Sequence, residues 1–427
     1  MPAAAAACLC LLTAPARAAT PGVARPGLQP LASEWWFSAW DIQSRVWPLT
    51  MGAGVTVALL DSGVQASLPD LRGAVVPGGD TTGAGVKGDG EVGGGLTDDD
   101  KPDDGHGTAM AAVIAGQGVR GGLVGIAPAA KILPVRVGLA GRLTYAAFSD
   151  QSLAAGIRFA VSHGAQVINM SLAGTAPGAG RCDTAIQDAV AYALDHNVVV
   201  VAGAGNVLPL LGEQTNEPKQ PASCAGVLAV SAVNPNLTWW RHSERQPYVA
   251  VSAPGNEIQT LGLDGQNFVD GYGTSFASAF VAGEAALVRA RNPALPWYQV
   301  VQRIINTALP RGAVPNDRFG YGIVRIHEAV DAAHDPIPAS APNPVYQAFL
   351  DWLRTPQAQS PSARSSPRGA AASASSGGPA RLAAAGAVAA AAVVLAAAAA
   401  LLIIVRRRRR RQAGTPGGSS APGPGGT

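Results

Sequence analysis

Four short segments, far apart in the chain, carry side chains that can do chemistry together. "VALLDSGV" ends an apolar run near Asp61, and "DDGHGTAMAAVIAG" places His106 between glycines before another apolar run. "VVVAGAGN" ends in Asn206, and "GYGTSFASAFVAG" sets Ser275 at the head of a long apolar stretch. Singly, each has an ordinary structural reading: a turn after a strand, a histidine at a helix start, a strand end, a helix N-cap. Together they supply what acyl transfer needs. A hydroxyl is a poor nucleophile until a base takes its proton, and an imidazole base needs a carboxylate to fix its tautomer. Asp61, His106 and Ser275 are those three types. The Asn206 amide is a donor for the oxyanion that forms when a carbonyl is attacked. The context of Ser275, Gly-Thr-Ser-Phe-Ala, is not the Gly-x-Ser-x-Gly elbow, which disfavours an esterase or lipase.

Such groups meet only on a scaffold. From Gly54 to about Ala333, Val- and Ile-rich runs (55–61, 130–137, 165–172, 197–206 and 226–233) alternate with helix-like stretches such as Leu153–His163 and Asp183–His196. Continuous apolar strands separated by helices predict a mainly parallel sheet covered on both faces, a three-layer α/β domain. Functional groups then gather beyond the carboxyl ends of the strands, where Asp61 and Asn206 fall. The stretch Phe276–Ala290 is apolar nearly all round and predicts a buried helix with Ser275 at its start. Free N–H groups at such a terminus favour negative charge in front of it. Upstream, Ser33 is a candidate N-cap for a short helix carrying Trp36 and Trp40 on one face, docked on the main body.

The segments "DSG", "HGT", "AGN" and "GTSFAS", in that order, resemble the subtilisin family of serine proteases. That family's chain order of Asp, then His, then Ser is the order found here. The resemblance implies a subtilisin-like fold with a sheet of about seven strands, with Asp61, His106 and Ser275 catalytic and Asn206 in the oxyanion hole. It also implies that Ser171, Leu172, Ala173 and Gly174 form the edge on which a peptide or protein substrate lies as an added strand. Ala202, Gly203 and Ala204 would line the pocket for the side chain before the cut. One departure is Ala279, where the family pattern has proline; alanine is a good helix former, so little loss is expected. The segment between the leader and residue 55 is also too short for the folded pro-domain of many relatives.

The ends of the chain extend the similarity. Residues 1–18 read as a signal peptide, with an apolar stretch and an Ala16-Arg17-Ala18 cleavage site but no basic n-region. Residues 19–53 form an N-terminal arm and 54–335 the catalytic domain. A Pro/Ser/Ala-rich linker over 336–381 includes a short amphipathic stretch, Val345–Leu353. Residues 382–405 carry no charge; at about 1.5 Å per residue they are long enough to cross a bilayer, although 13 of the 24 are alanine. The block Arg406–Arg411 and the rest of a disordered tail, 406–427, would stay cytoplasmic, leaving the catalytic domain extracellular on a single-pass anchor. This layout is similar to that of the mycosins, membrane-anchored proteases of type VII secretion systems. The resemblance implies a partner, the membrane complex of that system. It also admits a rival role, a structural component whose protease activity is dispensable for secretion.

Composition limits other functions. Arg406–Arg411 supplies six of the 31 basic side chains, so the remaining 25 stand against 28 acidic ones and the body is near neutral. That argues against a nucleic-acid-binding surface. Loss of the leader leaves Cys182 and Cys224, an even pair that in an exported chain reads as one disulfide, with two separate buried thiols as the alternative. The acidic stretch 89–104 offers hard oxygen ligands for calcium but no ordered ligand spacing, and reads as a solvated loop. No metal or cofactor is expected.

Overall fold

A computed structural model of the chain describes residues 28–83, 91–92, 94–98, 105–119, 121–141, 144–178, 181–207, 216–338 and 340–359. The chain enters through helix α1 (Trp36–Ala39) and a π-helical turn at Ile42–Val46, then forms β1 (Thr56–Asp61), β2 (Gly79–Asp80) and β3 (Glu91–Val92). Helix α2 (His106–Ala115) leads to β4 (Lys131–Arg136), β5 (Gly138–Gly141) and β6 (Thr144–Phe148). There follow α3 (Asp150–Ser162), β7 (Val167–Met170), β8 (Gly174–Thr175), α4 (Thr184–Asp195) and β9 (Val199–Gly203). Next come β10 (Lys219–Gln220), β11 (Leu228–Val233), β12 (Val249–Pro254), β13 (Ile258–Leu261) and β14 (Asn267–Gly271). The described chain closes with α5 (Thr274–Arg291), α6 (Trp297–Thr307), α7 (Ile326–Val330), α8 (Pro344–Leu353) and α9 (Pro356–Gln359).

Among the described residues the main sheet has eight strands in the order β12-β11-β9-β7-β1-β4-β2-β3. Seven are parallel; β3 joins β2 antiparallel at the edge. In the centre, Val57 pairs with Val167 on one side and Ile132 on the other. All five apolar runs of the sequence form strands of this sheet. β12, "VAVSAP", is a further buried strand outside those runs.

Consecutive residues of a strand face opposite sides, and β1 shows what covers each. A Cβ at Gly156 of α3 would lie 3.4 Å from the Leu60 side chain, whereas one at Gly107 of α2 would lie 3.3 Å from Asp61 Cβ. So α3, which packs with α4, covers one face, and α2, which packs with α5, covers the other. Helices α2 and α5 pack together, and Gly283 of α5 leaves room for Ile126 beyond the end of α2; a Cβ there would stand 2.6 Å from Ile126 Cγ1 and 3.9 Å from Ile114 Cα. That packing sets the His106 helix beside the Ser275 helix.

The arm docks through tryptophans. Trp36 is buried, the rings of Trp40 and Phe280 of α5 are 5.7 Å apart, and Trp47 Nε1 donates to the Ile126 carbonyl at 2.9 Å. The helix is shorter than expected, and Ser33 is not its cap: Trp35 occupies the N-cap position with no side-chain bond. The turn is fixed instead by Glu34, whose carboxylate accepts from Leu31 N at 2.7 Å and Val124 N at 3.1 Å. Burial pushes this carboxyl up to about 8, against a usual 4.5, with Asp70 adding to the rise.

At the other end α8 is capped by Asn343, which accepts from Tyr346 N; it buries Val345 and Phe349, the latter against Trp297 of α6. The segment after Asp335 thus begins with a docked helix. Cys182 and Cys224 are joined in a disulfide with Cα atoms 4.8 Å apart. Among the described residues no helix is long and apolar enough to cross a membrane; residues 1–18, 382–405 and the arginine block lie outside them.

Candidate active site

Asp61 is the last residue of β1, and His106 the first of α2. They meet because two glycines let the helix start tight against the strand end. Gly105 has φ +92°, a left-handed conformation, and a Cβ there would strike Leu263 Cδ2 at 2.4 Å. A Cβ at Gly107 would fall 2.0 Å from the Gly63 carbonyl oxygen. In this packing Asp61 Oδ1 lies 2.8 Å from His106 Nδ1. The same oxygen accepts from Ser62 N at 2.8 Å, and Ser62 Oγ lies 3.2 Å from it. Asp61 is buried and the imidazole side chain is 33% exposed, so one edge of the base is held in the protein while the ring reaches solvent.

Ser275 is the second residue of α5, after Gly273 at φ +132°. Its hydroxyl donates to the Ser171 carbonyl at 3.0 Å. Its own carbonyl accepts from Ser171 Oγ and from Ser278 Oγ, both at 2.9 Å. Asn169 Nδ2 donates to Ser171 Oγ at 2.8 Å. This buried hydroxyl chain fixes Ser275 against the strand-end segment Ser171–Gly174 from behind. Within that segment Leu172 is buried, Ala173 and Gly174 are half-buried, and Gly174 pairs with Gln220 of β10.

Asn206 follows β9. Its Oδ1 accepts from Thr274 N at 2.9 Å and Thr274 Oγ1 at 3.0 Å. With the carbonyl end occupied, Nδ2 turns toward Gly273, whose Cβ position is 3.2 Å away. Thr274 Oγ1 also accepts from Gly205 N at 3.1 Å, tying the two segments together. Ala202, Gly203 and Ala204 are buried beside this junction; a Cβ at Gly203 would lie 2.9 Å from the Thr274 carbonyl oxygen. Tyr248 OH donates to the Ala204 carbonyl at 3.1 Å, and burial, with Glu244 nearby, pushes its phenol up, so it stays a donor.

Asp61 and His106 thus share one contact, and Ser275, Ser171 and Asn206 share another through Thr274 and the α5 terminus. Several participants carried no signal in the sequence. Asp98, at 3% exposure, accepts from Thr108 N at 2.8 Å, Thr108 Oγ1 at 2.6 Å and Ser62 Oγ at 2.8 Å. Arg136 Nε donates to the Ser62 carbonyl at 3.2 Å. Asp98 lies in the stretch 89–104 that reads as a solvated loop; this one of its carboxylates is buried, because the start of α2 takes it up. Most of that stretch lies outside the described residues, and among the described residues no cluster of three or more His, Cys, Asp or Glu could hold a metal ion.

A parallel sheet of this topology, with Asp, His, Asn and Ser at the ends of β1, α2, β9 and α5, defines a subtilisin-like serine peptidase. Residues 52–322 match the subtilase family model (peptidase family S8), and the chain belongs to that family. Within it the chain is mycosin-like. It is 34% identical over 333 residues to Mycosin-1 of Mycobacterium tuberculosis (strain ATCC 25618 / H37Rv), covering 68% of this chain and 72% of that protein. It is 31% identical over 348 residues to fervidolysin of Fervidobacterium pennivorans, covering 72% of this chain but spanning only 46% of that protein. Among solved structures, the MycP3 protease from the type VII (ESX-3) secretion system superposes with a TM-score of 0.59 at 32% identity, covering 71% of this chain and 90% of that one.

Proposed function

We propose that the protein is a membrane-anchored, extracytoplasmic serine endopeptidase that works through Asp61, His106 and Ser275 and serves type VII protein secretion. The 2.8 Å contact between Asp61 Oδ1 and His106 Nδ1 carries the reading. It leaves Nε2 as the nitrogen for proton transfer. The Ser275 hydroxyl turns from the Ser171 carbonyl to His106, and Oγ attacks the scissile carbonyl carbon as Nε2 takes its proton. The oxyanion is met by Asn206 Nδ2 and the Ser275 N–H, at the positive end of α5. His106 then protonates the leaving amine, and water releases the acyl group by the same route. The substrate lies along Ser171–Gly174, with Ala202–Ala204 around the side chain before the cut. The leader 1–18, the linker, the apolar stretch 382–405 and the basic tail 406–427 support a catalytic domain held outside the cell.

A second role, as a structural part of the secretion complex, draws support from a relative: a solved MycP1, 30% identical, is described as an essential component of the type VII (ESX-1) secretion system. One experiment separates the two. Full-length protein in detergent is expected to hydrolyse an unfolded protein substrate, and Ser275→Ala to lose this. If Ser275→Ala nevertheless restores secretion fully in a deletion strain, proteolysis is not the essential role.

A further inference from the structure

We propose that Asp98 is a positioning residue of the catalytic site, a buried carboxylate that clamps the histidine-bearing helix to the aspartate-bearing strand. The proposal rests on the serine-peptidase reading above. Helix α2 starts at a glycine and has no capping side chain of its own. Its free N–H groups must be met by something else. Asp98 Oδ2 takes Thr108 N at 2.8 Å and Thr108 Oγ1 at 2.6 Å. Asp98 Oδ1 takes the Ser62 hydroxyl at 2.8 Å, and that hydroxyl also lies 3.2 Å from Asp61 Oδ1. Gly107 N donates back to Ser62 Oγ at 3.2 Å. The result is a bridge from the residue after Asp61 to the two residues after His106.

All three side chains of the bridge are buried: Asp98, Ser62 and Thr108. A carboxylate so placed is held by its bonds and by the positive helix terminus. It does two things for the reaction. It fixes the distance between β1 and α2, on which the Asp61–His106 contact depends; an error of about 1 Å at such a site costs about 10²-fold. It also places a negative charge on Thr108, two residues after His106 on the same helix turn. Among the described residues Asp61 of β1 contacts the imidazole directly, and Arg136 of β4 lies nearby, its Nε reaching the Ser62 carbonyl and its Nη2 the Thr97 carbonyl. Helix α2 itself carries no other titratable side chain.

The test is Asp98→Asn in the full-length protein, with kcat and KM measured on a peptide substrate from about pH 5 to 9. Rates are expressed per active site titrated with a fluorophosphonate, so that loss of folded protein does not count. Asn keeps one acceptor but removes the charge. The expected result is a kcat lower by about 10-fold with KM little changed. The acid limb of the kcat/KM profile should move down by about half a pH unit or more, because the imidazolium loses a stabilising charge. An acid limb that does not move overturns the proposal. Should Asp98→Asn fail to fold, Ser62→Ala removes the bridge while leaving the carboxylate; kcat should then fall several-fold at unchanged KM, and an unchanged kcat overturns the proposal. Wild-type protein with no activity would sink the peptidase reading instead, so the two failures are distinct.

Discussion

At the residue scale, Asn206 depends on Thr274. Both donors of Thr274, the N–H and the hydroxyl, go to Asn206 Oδ1, so the amide nitrogen is the end that Thr274 does not engage and, on the proposed mechanism, the end that meets the oxyanion. Asn206→Ala should therefore lower kcat by about 10²–10³ with little change in KM, because the bond forms mainly in the transition state. Steady-state kinetics on a peptide amide checks this; a large rise in KM at constant kcat would place Asn206 in ground-state binding. The four candidate residues stand out in the sequence because each lies in a short run of small residues at an element end. Asp98 was not. The stretch 98–104 contains five aspartates, and no spacing tells the one that meets Thr108 and Ser62 from its neighbours. Only the tertiary contact selects it. Ser171 was readable as a backbone segment, but its hydroxyl, which binds the Ser275 carbonyl, was not.

At the element scale, the sheet and its helices followed from apolar runs, since a strand buried on both faces has no polar side to interrupt it. The α5 helix was legible for the same reason, and its N-terminus falls at Thr274, one residue before Ser275. The arm was harder. Its helix is four residues long, and what holds it is a buried carboxyl group meeting N–H groups of two separate segments. Such a bond has no periodicity. It does have a pH signature. The folded state raises the Glu34 pKa from 4.5 to about 8. Stability from the protonated form is fully present below the unfolded value and is lost as pH rises through the folded one. Glu284, buried in α5, is shifted the same way by burial, with Glu328 adding to it. Thermal unfolding should thus move to lower temperature as pH rises from about 4.5 to about 8, and Glu34→Gln should flatten part of that fall. Identical pH dependence in wild type and Glu34→Gln would show that the arm is not held by a protonated Glu34.

At the scale of the whole molecule, the pieces are a docked arm, an eight-stranded catalytic body and a helix, α8, seated on the body through Phe349 and Trp297. The composition shift after Asp335 pointed to a linker because proline dominates there; the apolar positions Val345 and Phe349 outweigh it and bring the chain back. The disulfide joins residues 42 apart in sequence, and pairing was legible only because two cysteines remain once the leader is set aside. The proposed function rests on the arrangement at the ends of β1, α2, β9 and α5. Its most direct test is to treat the folded full-length protein with a fluorophosphonate and map the adduct by peptide mass spectrometry. A single adduct on Ser275, absent in Ser275→Ala and strongly slowed in His106→Ala, is the expected result. A folded wild-type protein that takes up no label, or takes it up equally well without His106, would contradict it.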